Sequence, residues 1–559
     1  MTFQSGSTTR VNGDEKDHLF DMPKPLGIIV AGSLSEGMEV RLNADVSIED
    51  IKVGTFVNIQ GRDKRFFGVL TEVALKSIDQ SLINNPPDVS NSFISEVVSG
   101  TTAYGSVTVE PMLTIGAENF EGPTPAKTIP PHFSLVSSAT DEDIRLVFGS
   151  EDENHFWIGN PLDMETKLCL NIEEFVKRSN GVFGKSGTGK TFLNRLLLAG
   201  ILQNGTASNL VFDMHGEYGW KGTSENSAEV KGLKQLFSSR VAVFSLDEES
   251  SRRRGLSPDY VVKIGYDEIE PEDIQVLRDS FNLSEVAADT AFSLRRKFGK
   301  SWVATFLSYP SGEEFGELAR ELNVNDRALS TLKNRLARFE RFQFIENGSG
   351  HNSVNKVLEY LNRGMHVVLE FGRFGNHMEA YMLVANLITR RIYDRYVSMK
   401  EQAMGDSAQE PRPLVITIEE AHRFLNPSIA NQTIFGNIAR ELRKYNVTLL
   451  VVDQRPSGID DEVMSQLGTK IACLLDNEKD TDAVLTGQSG SRKLKSVLAR
   501  LESKQQALVF GHSVPMPVVI QSRVYGTPES YKELGFLDES ELASKIEQDI
   551  GDLFGPESN

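Results

Sequence analysis

Residues 181–192 read GVFGKSGTGKTF, and within them Gly184, Gly189, Lys190 and Thr191 satisfy the pattern G-x-x-x-x-G-K-[ST] without deviation. A short apolar strand leads into the loop, and TFLNRLLLAGIL (191–202) leaves it as a helix. In that setting the glycines let backbone N–H groups point inward at phosphates, and the helix N-terminus adds a favourable dipole. Gly184, Lys185, Ser186, Gly187, Thr188, Gly189, Lys190, Thr191 and Phe192 are therefore expected to hold ATP. Lys190 should reach the β- and γ-phosphates, and the Thr191 hydroxyl should hold Mg2+.

Outward from this loop, apolar β-branched runs alternate with long amphipathic helices, the pattern of a parallel sheet covered on both faces. The runs are SNLVFD (208–213), RVAVFSL (240–246), MHVVLEF (365–371), PLVITIEE (413–420), VTLLVVDQ (447–454) and TKIACLL (469–475). Ligands of such sheets gather at the carboxyl ends of the strands. One of those ends carries Glu419 and Glu420. The expectation is that Glu419 serves the metal side and Glu420 polarises the attacking water. Gln454 ends another strand, where it can sense the γ-phosphate or hold water beside the two acids. Asp213, His215 and Glu217 end a third, with Asp213 expected to contact the nucleotide. A lone His with two acids is more often a hydrogen-bonded turn than a metal site. Arg440 and Arg443 lie on IARELRKYNV (438–447), either as arginines offered to a neighbouring subunit's nucleotide or as a paired surface helix.

The rest of the chain falls into separate zones. Residues 1–23 are polar and irregular and are read as a flexible lead-in. Residues 24–150 hold closely spaced strands without helices, PLGIIVAGS, GMEVRL, GTFVNIQ, FFGVLTEVAL and YGSVTVEPML, which suggest a small β-barrel. A polar insertion at 77–97 reads as a loop or short helix, and GPTPAKTIPPHF (122–133) marks the way out. Residues 151–526 form the α/β core, with a charged helical insertion at about 265–345 that ends in RALSTLKNRLARFERF. That basic helix reads as a solvated face or as a nucleic-acid contact. After SRKLKSVLARLES, residues 506–526 look like one or two strands at the sheet edge, and 527–559 form an acidic tail that folds against a neighbouring subunit.

With 559 residues the chain is too long for one core. Its net charge of −19 argues against coating nucleic acid with the whole surface, so a DNA role needs a confined basic surface, such as the pore of a ring. No run approaches the roughly 20 apolar residues of a membrane helix, and the N-terminal residues lack an apolar signal core, so a cytoplasmic location is expected. Cys169 and Cys473 are too few for a disulfide framework and read as buried side chains.

The ordered set GKSGTGKT, DMHGEY, TIEEAH, RELRKYN and DQRP, behind a small β-barrel, resembles the HerA family of hexameric DNA translocases over roughly residues 24–526. The resemblance implies a RecA-like motor core related to the FtsK translocases and a barrel that helps assemble a six-membered ring. It also implies ATP sites at subunit interfaces and double-stranded DNA through the pore. It places Lys190 and Thr191 in the phosphate site, Glu420 as base, Arg443 as the arginine given in trans, and Arg178 as a further basic residue near the nucleotide. Three positions depart from the family pattern: Glu419 replaces Asp, Met214 replaces Pro, and Leu442 replaces Gly. The family works with a separate nuclease, such as a NurA-type enzyme in DNA end processing, or with an effector in antiviral defence. Two other functions compete with a translocating ring. One is an ATPase platform that assembles and activates a defence effector without moving DNA. The other is a secretion or conjugation ATPase.

Overall fold

The structure, a computed structural model, describes residues 25–77, 103–116, 122–162, 164–223, 229–348, 352–403, 410–441, 444–488 and 491–536, with isolated positions at 84, 90 and 406. The N-terminal lead-in lies outside the described residues, as do most of the 77–97 insertion and the tail beyond 536. By contacts the chain divides into two units. One is Met1–Ser150 with Asn160–Leu168, and the other is Glu151–Gly159 with Cys169–Asn559.

The first unit is a closed barrel. Its strands are β1 (Pro25–Ser33), β2 (Gly37–Leu42), β3 (Phe56–Gln60), β4 (Lys64–Ser77), β5 (Ala103–Gly116), a two-residue edge strand β6 (Thr124–Pro125), and β7 (Leu135–Ser138). The order β2-β1-β7-β3-β4-β5 closes because β2 pairs with β5 as well as with β1. Alternation along the strands turns Ile29, Val40, Val57, Ile59, Leu70, Val109 and Val136 into a common core. The Pro-rich stretch is therefore not the way out of the barrel. Beyond it, β7 returns to pair with β1 and β3, and helix α1 (Asp141–Phe148) follows. The α1 carboxylate of Asp143 is buried and accepts from Asn58, Arg65 and the Thr140 cap.

The second unit is built on a twelve-stranded sheet. Its strands are β8 (His155–Pro161), β9 (Leu168–Asn171), β10 (Asn180–Phe183), β11 (Ser208–Asp213), β12 (Val241–Ser245), β13 (Tyr260–Val261), β14 (His366–Glu370), β15 (Leu414–Glu419), β16 (Val447–Asp453), β17 (Thr469–Ala472), β18 (Gln506–Gly511) and β19 (Val518–Ser522). In space they run β13-β12-β14-β11-β15-β16-β10-β17-β18-β19-β8-β9. The first eight are parallel, and β18 and β19 continue antiparallel. β18 and β19 were expected at the sheet edge, but β8 and β9 lie beyond them. Every residue of β10, β11, β12, β14, β15, β16 and β17 is buried, which is why these strands read as continuous apolar runs.

Between β13 and β14 stands the helical block, including α2 (Glu285–Phe298), α3 (Trp302–Ser308), α4 (Glu313–Glu321) and α5 (Asp326–Leu336). Its neck is pinned by a two-residue parallel pair, Ile264 with Ile345 and Gly265 with Glu346. The basic stretch places Leu329, Leu332, Leu336 and Phe339 inside the block, and the Lys333 ammonium caps the Tyr309 carbonyl. At the C-terminal end, a short helix at Pro528–Glu533 docks on its own chain. Leu534 is buried, its carbonyl accepts from Gln203, and the Tyr531 hydroxyl accepts from the Lys231 N–H. This first part of the tail thus needs no neighbouring subunit for its packing.

Candidate active site

The loop 184–189 joins β10 to the helix α6 (Lys190–Asn204). Because β10 lies between β16 and β17, the loop is anchored on both sides: the Gly184 N–H reaches the Asp453 carbonyl at 3.3 Å, and the Lys185 N–H reaches Leu474 at 3.0 Å. A side chain at Gly184 would meet Cys473 Cβ at 2.7 Å, so only glycine fits there. Gly189, at φ 88°, turns the chain into the helix with open space where a Cβ would stand. The Lys190 ammonium donates to the Lys185 carbonyl at 2.6 Å. Burial lowers its pKa, against the opposing pull of Glu420, Asp453 and Glu419. The Lys185 side chain points outward to Asp476 at 2.8 Å.

The loop opens on a cleft of about 720 Å3, lined among others by Lys190, Thr191, Phe192, Glu217, Glu419, Glu420 and Gln454. Glu419 ends β15 and is 8% exposed. Its Oε1 accepts from the Tyr218 hydroxyl at 2.7 Å, while its buried Oε2 has no partner among the described residues. Burial, then the nearby Asp213 charge, push its carboxyl up to about 8. Glu420 follows with φ 48°, a left-handed turn that is rare for a side-chain-bearing residue and concentrates at functional sites. Its carboxylate accepts from Gln454 at 3.3 Å. Asp453, buried at the end of β16, holds this corner by accepting from the N–H groups of His422 (2.7 Å) and Arg455 (2.6 Å). The structure thus brings Lys190, Thr191, Glu419, Glu420 and Gln454 to one cleft.

Asp213, expected at the nucleotide, is not among the residues that line the cleft. Fully buried at the end of β11, it accepts from the N–H groups of Glu217 (2.8 Å), Tyr218 (2.8 Å) and Gly219 (3.3 Å), and so fixes the turn that follows. That turn presents Glu217 to the cleft, where the Thr191 hydroxyl donates to Glu217 Oε2 at 3.0 Å. The only signal for Glu217 in the sequence was its place at a strand's carboxyl end. Arg195, one turn along α6 and 3% exposed, was also missed; its Nε donates to the Glu217 carbonyl at 2.8 Å. His215 lines the same cleft.

Of the arginines singled out in the sequence, neither Arg440 nor Arg178 lines this cleft. Arg440 ends the helix α8 (Ile434–Arg440, after α7 at Met378–Ala403) and is held by Glu462 at 3.1 Å and Asp460 at 3.8 Å. Arg178 precedes β10, at the opposite end of that strand from the phosphate loop. Arg443 lies outside the described residues.

The donor set suits magnesium. Thr191 and the carboxylates offer hard oxygen donors, and the buried Glu419 Oε2 has no partner among the described residues. Among the described residues, no three or more His, Cys, Asp or Glu side chains gather as a metal cage. Magnesium beside a nucleotide needs only one or two carboxylates, with phosphate oxygens and water completing its shell.

Two family models match in sequence: the HAS barrel domain over residues 26–116, and the central domain of helicase HerA over 156–392. The chain carries both of these HerA-family domains. It is an ATP-hydrolysing P-loop enzyme. It is similar to the DNA double-strand break repair helicase HerA of Pyrococcus furiosus, 25% identical over 428 residues, covering 71% of this chain and 73% of that one. Its likeness to the protein of the same name from Saccharolobus solfataricus extends over 521 residues at 24% identity, covering 90% and 95%. Among solved structures, VirB4 of Thermoanaerobacter pseudethanolicus aligns with a TM-score of 0.41 at 15% identity, covering 68% of this chain and 99% of that one. Among the described residues, no helix of this chain is long and apolar enough to cross a membrane.

Proposed function

We propose that this chain is the motor subunit of a ring, six copies in the reading adopted here, that hydrolyses ATP to move double-stranded DNA in the cytoplasm. It would work with a separate nuclease or defence effector, in DNA end processing or antiviral defence. The observation that carries the reading is the cleft itself, where the phosphate loop with Lys190 and Thr191 faces the Glu420–Gln454 pair. The names of the relatives, DNA repair helicases over most of the chain, support DNA as the track.

In this reading the loop amides and Lys190 hold the phosphates, and Glu420 takes the proton of a water that Gln454 helps to hold. Thr191 and Glu419 would hold a magnesium ion, which would supply neutralisation of charge on the phosphate oxygens. Arg443 acts from the neighbouring subunit.

The test is ATP turnover by the assembled protein with and without linear duplex DNA. A rise with duplex is expected. Turnover and binding both indifferent to DNA, with a partner protein present, would contradict the motor and point to an assembly platform.

A further inference from the structure

We propose that Glu217 is a positioning residue that orients Thr191 toward the metal accompanying the nucleotide, an inference that rests on the phosphate-loop reading above. A hydroxyl binds a cation through an oxygen lone pair and keeps its proton, which then needs an acceptor. Thr191 already has one: its Oγ1 donates to Glu217 Oε2 at 3.0 Å. With the proton directed at Glu217, the lone pairs of Thr191 are turned to the remainder of the cleft.

Glu217 is itself tightly held. Its N–H is bound by Asp213 Oδ1 at 2.8 Å, its carbonyl by Arg195 Nε at 2.8 Å, and the next N–H, that of Tyr218, by Asp213 Oδ2 at 2.8 Å. A second observation points to a ligand. Glu419, 8% exposed and lining the same cleft, has its Oε1 occupied by the Tyr218 hydroxyl and its Oε2 buried without a partner among the described residues. Adjacent residues of one turn therefore set both metal-facing groups: Glu217 orients Thr191, and Tyr218 orients Glu419. Partners of this kind are known to tune metal affinity through the ligands they hold.

The experiment uses the full chain, fluorescent ADP and Mn2+, with Mn2+ binding read by electron paramagnetic resonance. For Glu217→Ala, half-saturation of the protein–ADP complex should need ~10–100-fold more Mn2+ than for wild type, while ADP affinity in EDTA stays unchanged. Glu217→Gln keeps one acceptor oxygen and should recover part of the loss, and its thermal unfolding guards against a folding defect. Pairing Glu217→Ala with Thr191→Ala should give less than additive losses, because the two share one contact. Wild-type Mn2+ affinity in both Glu217 variants would overturn the proposal. So would an equal loss of ADP affinity with and without metal, which would make Glu217 a shaper of the loop alone. A wild-type protein that binds no nucleotide in EDTA would remove the phosphate-loop reading itself.

Discussion

At the residue scale, the strand ends concentrate buried acids whose protonation is set by surroundings that the sequence does not display. Glu370 ends β14, fully buried beside Asp213 and paired with Arg254 at 2.7 Å. Burial first, then the Asp213 charge, push its carboxyl from 4.5 up to about 7, with Arg254 pulling the other way. Between those values the folded chain keeps a proton that the unfolded chain has released, so stability falls as pH rises through this window and levels off above it. Each unit of such a shift is worth about 1.4 kcal/mol. From about pH 5 to about pH 8, wild type should lose about 2 kcal/mol more than Glu370→Gln, as measured by urea denaturation. Equal slopes for the two proteins would contradict the assignment. The phosphate loop was legible because glycine, lysine and threonine at fixed spacing carry their mechanism locally. Arg440 was not, because its partners Glu462 and Asp460 lie on a segment that only folding brings near.

At the element scale, the turn after β11 links the sheet to the cleft. Asp213 satisfies three successive N–H groups, and replacing it by alanine leaves buried donors without acceptors. Asp213→Ala should cost about 3 kcal/mol in urea unfolding, with Asp213→Asn milder because one acceptor oxygen remains. A change for Asp213→Ala within about 0.5 kcal/mol, as for an ordinary surface site, would show that the turn holds without it. The six strands read from the apolar runs were legible because both faces of the sheet are covered. β7 was missed because its four residues lie beyond a Pro-rich stretch. β8 was missed because it runs into Gly159, Asn160 and Pro161, which read as a turn. Asp213 was given to the nucleotide because a strand-end acid looks alike from the sequence whether it binds a ligand or holds a turn.

At the scale of the whole molecule, the ring proposed above would share its chemistry between subunits. If Arg443 acts in trans, Arg443→Ala should lose hydrolysis only in the assembled ring, and mixing it with Lys190→Ala subunits should restore part of the turnover. Absence of any such restoration would remove the trans role. Barrel and core were both legible as zones, because closely spaced strands without helices give way to strands alternating with helices. Closure of the barrel was not, since it depends on β2 meeting β5 across 60 intervening residues.

In the proposed function all motor output would pass through one chemical step at Glu420, so the most direct measurement takes ATP affinity and ATP turnover on the same preparation of Glu420→Gln. Affinity should stay near wild type because the phosphate loop is intact, while turnover should fall by ~10²–10⁴-fold with the loss of water activation. Turnover at the wild-type rate, or a loss of affinity as large as the loss of turnover, would contradict the assignment of the cleft.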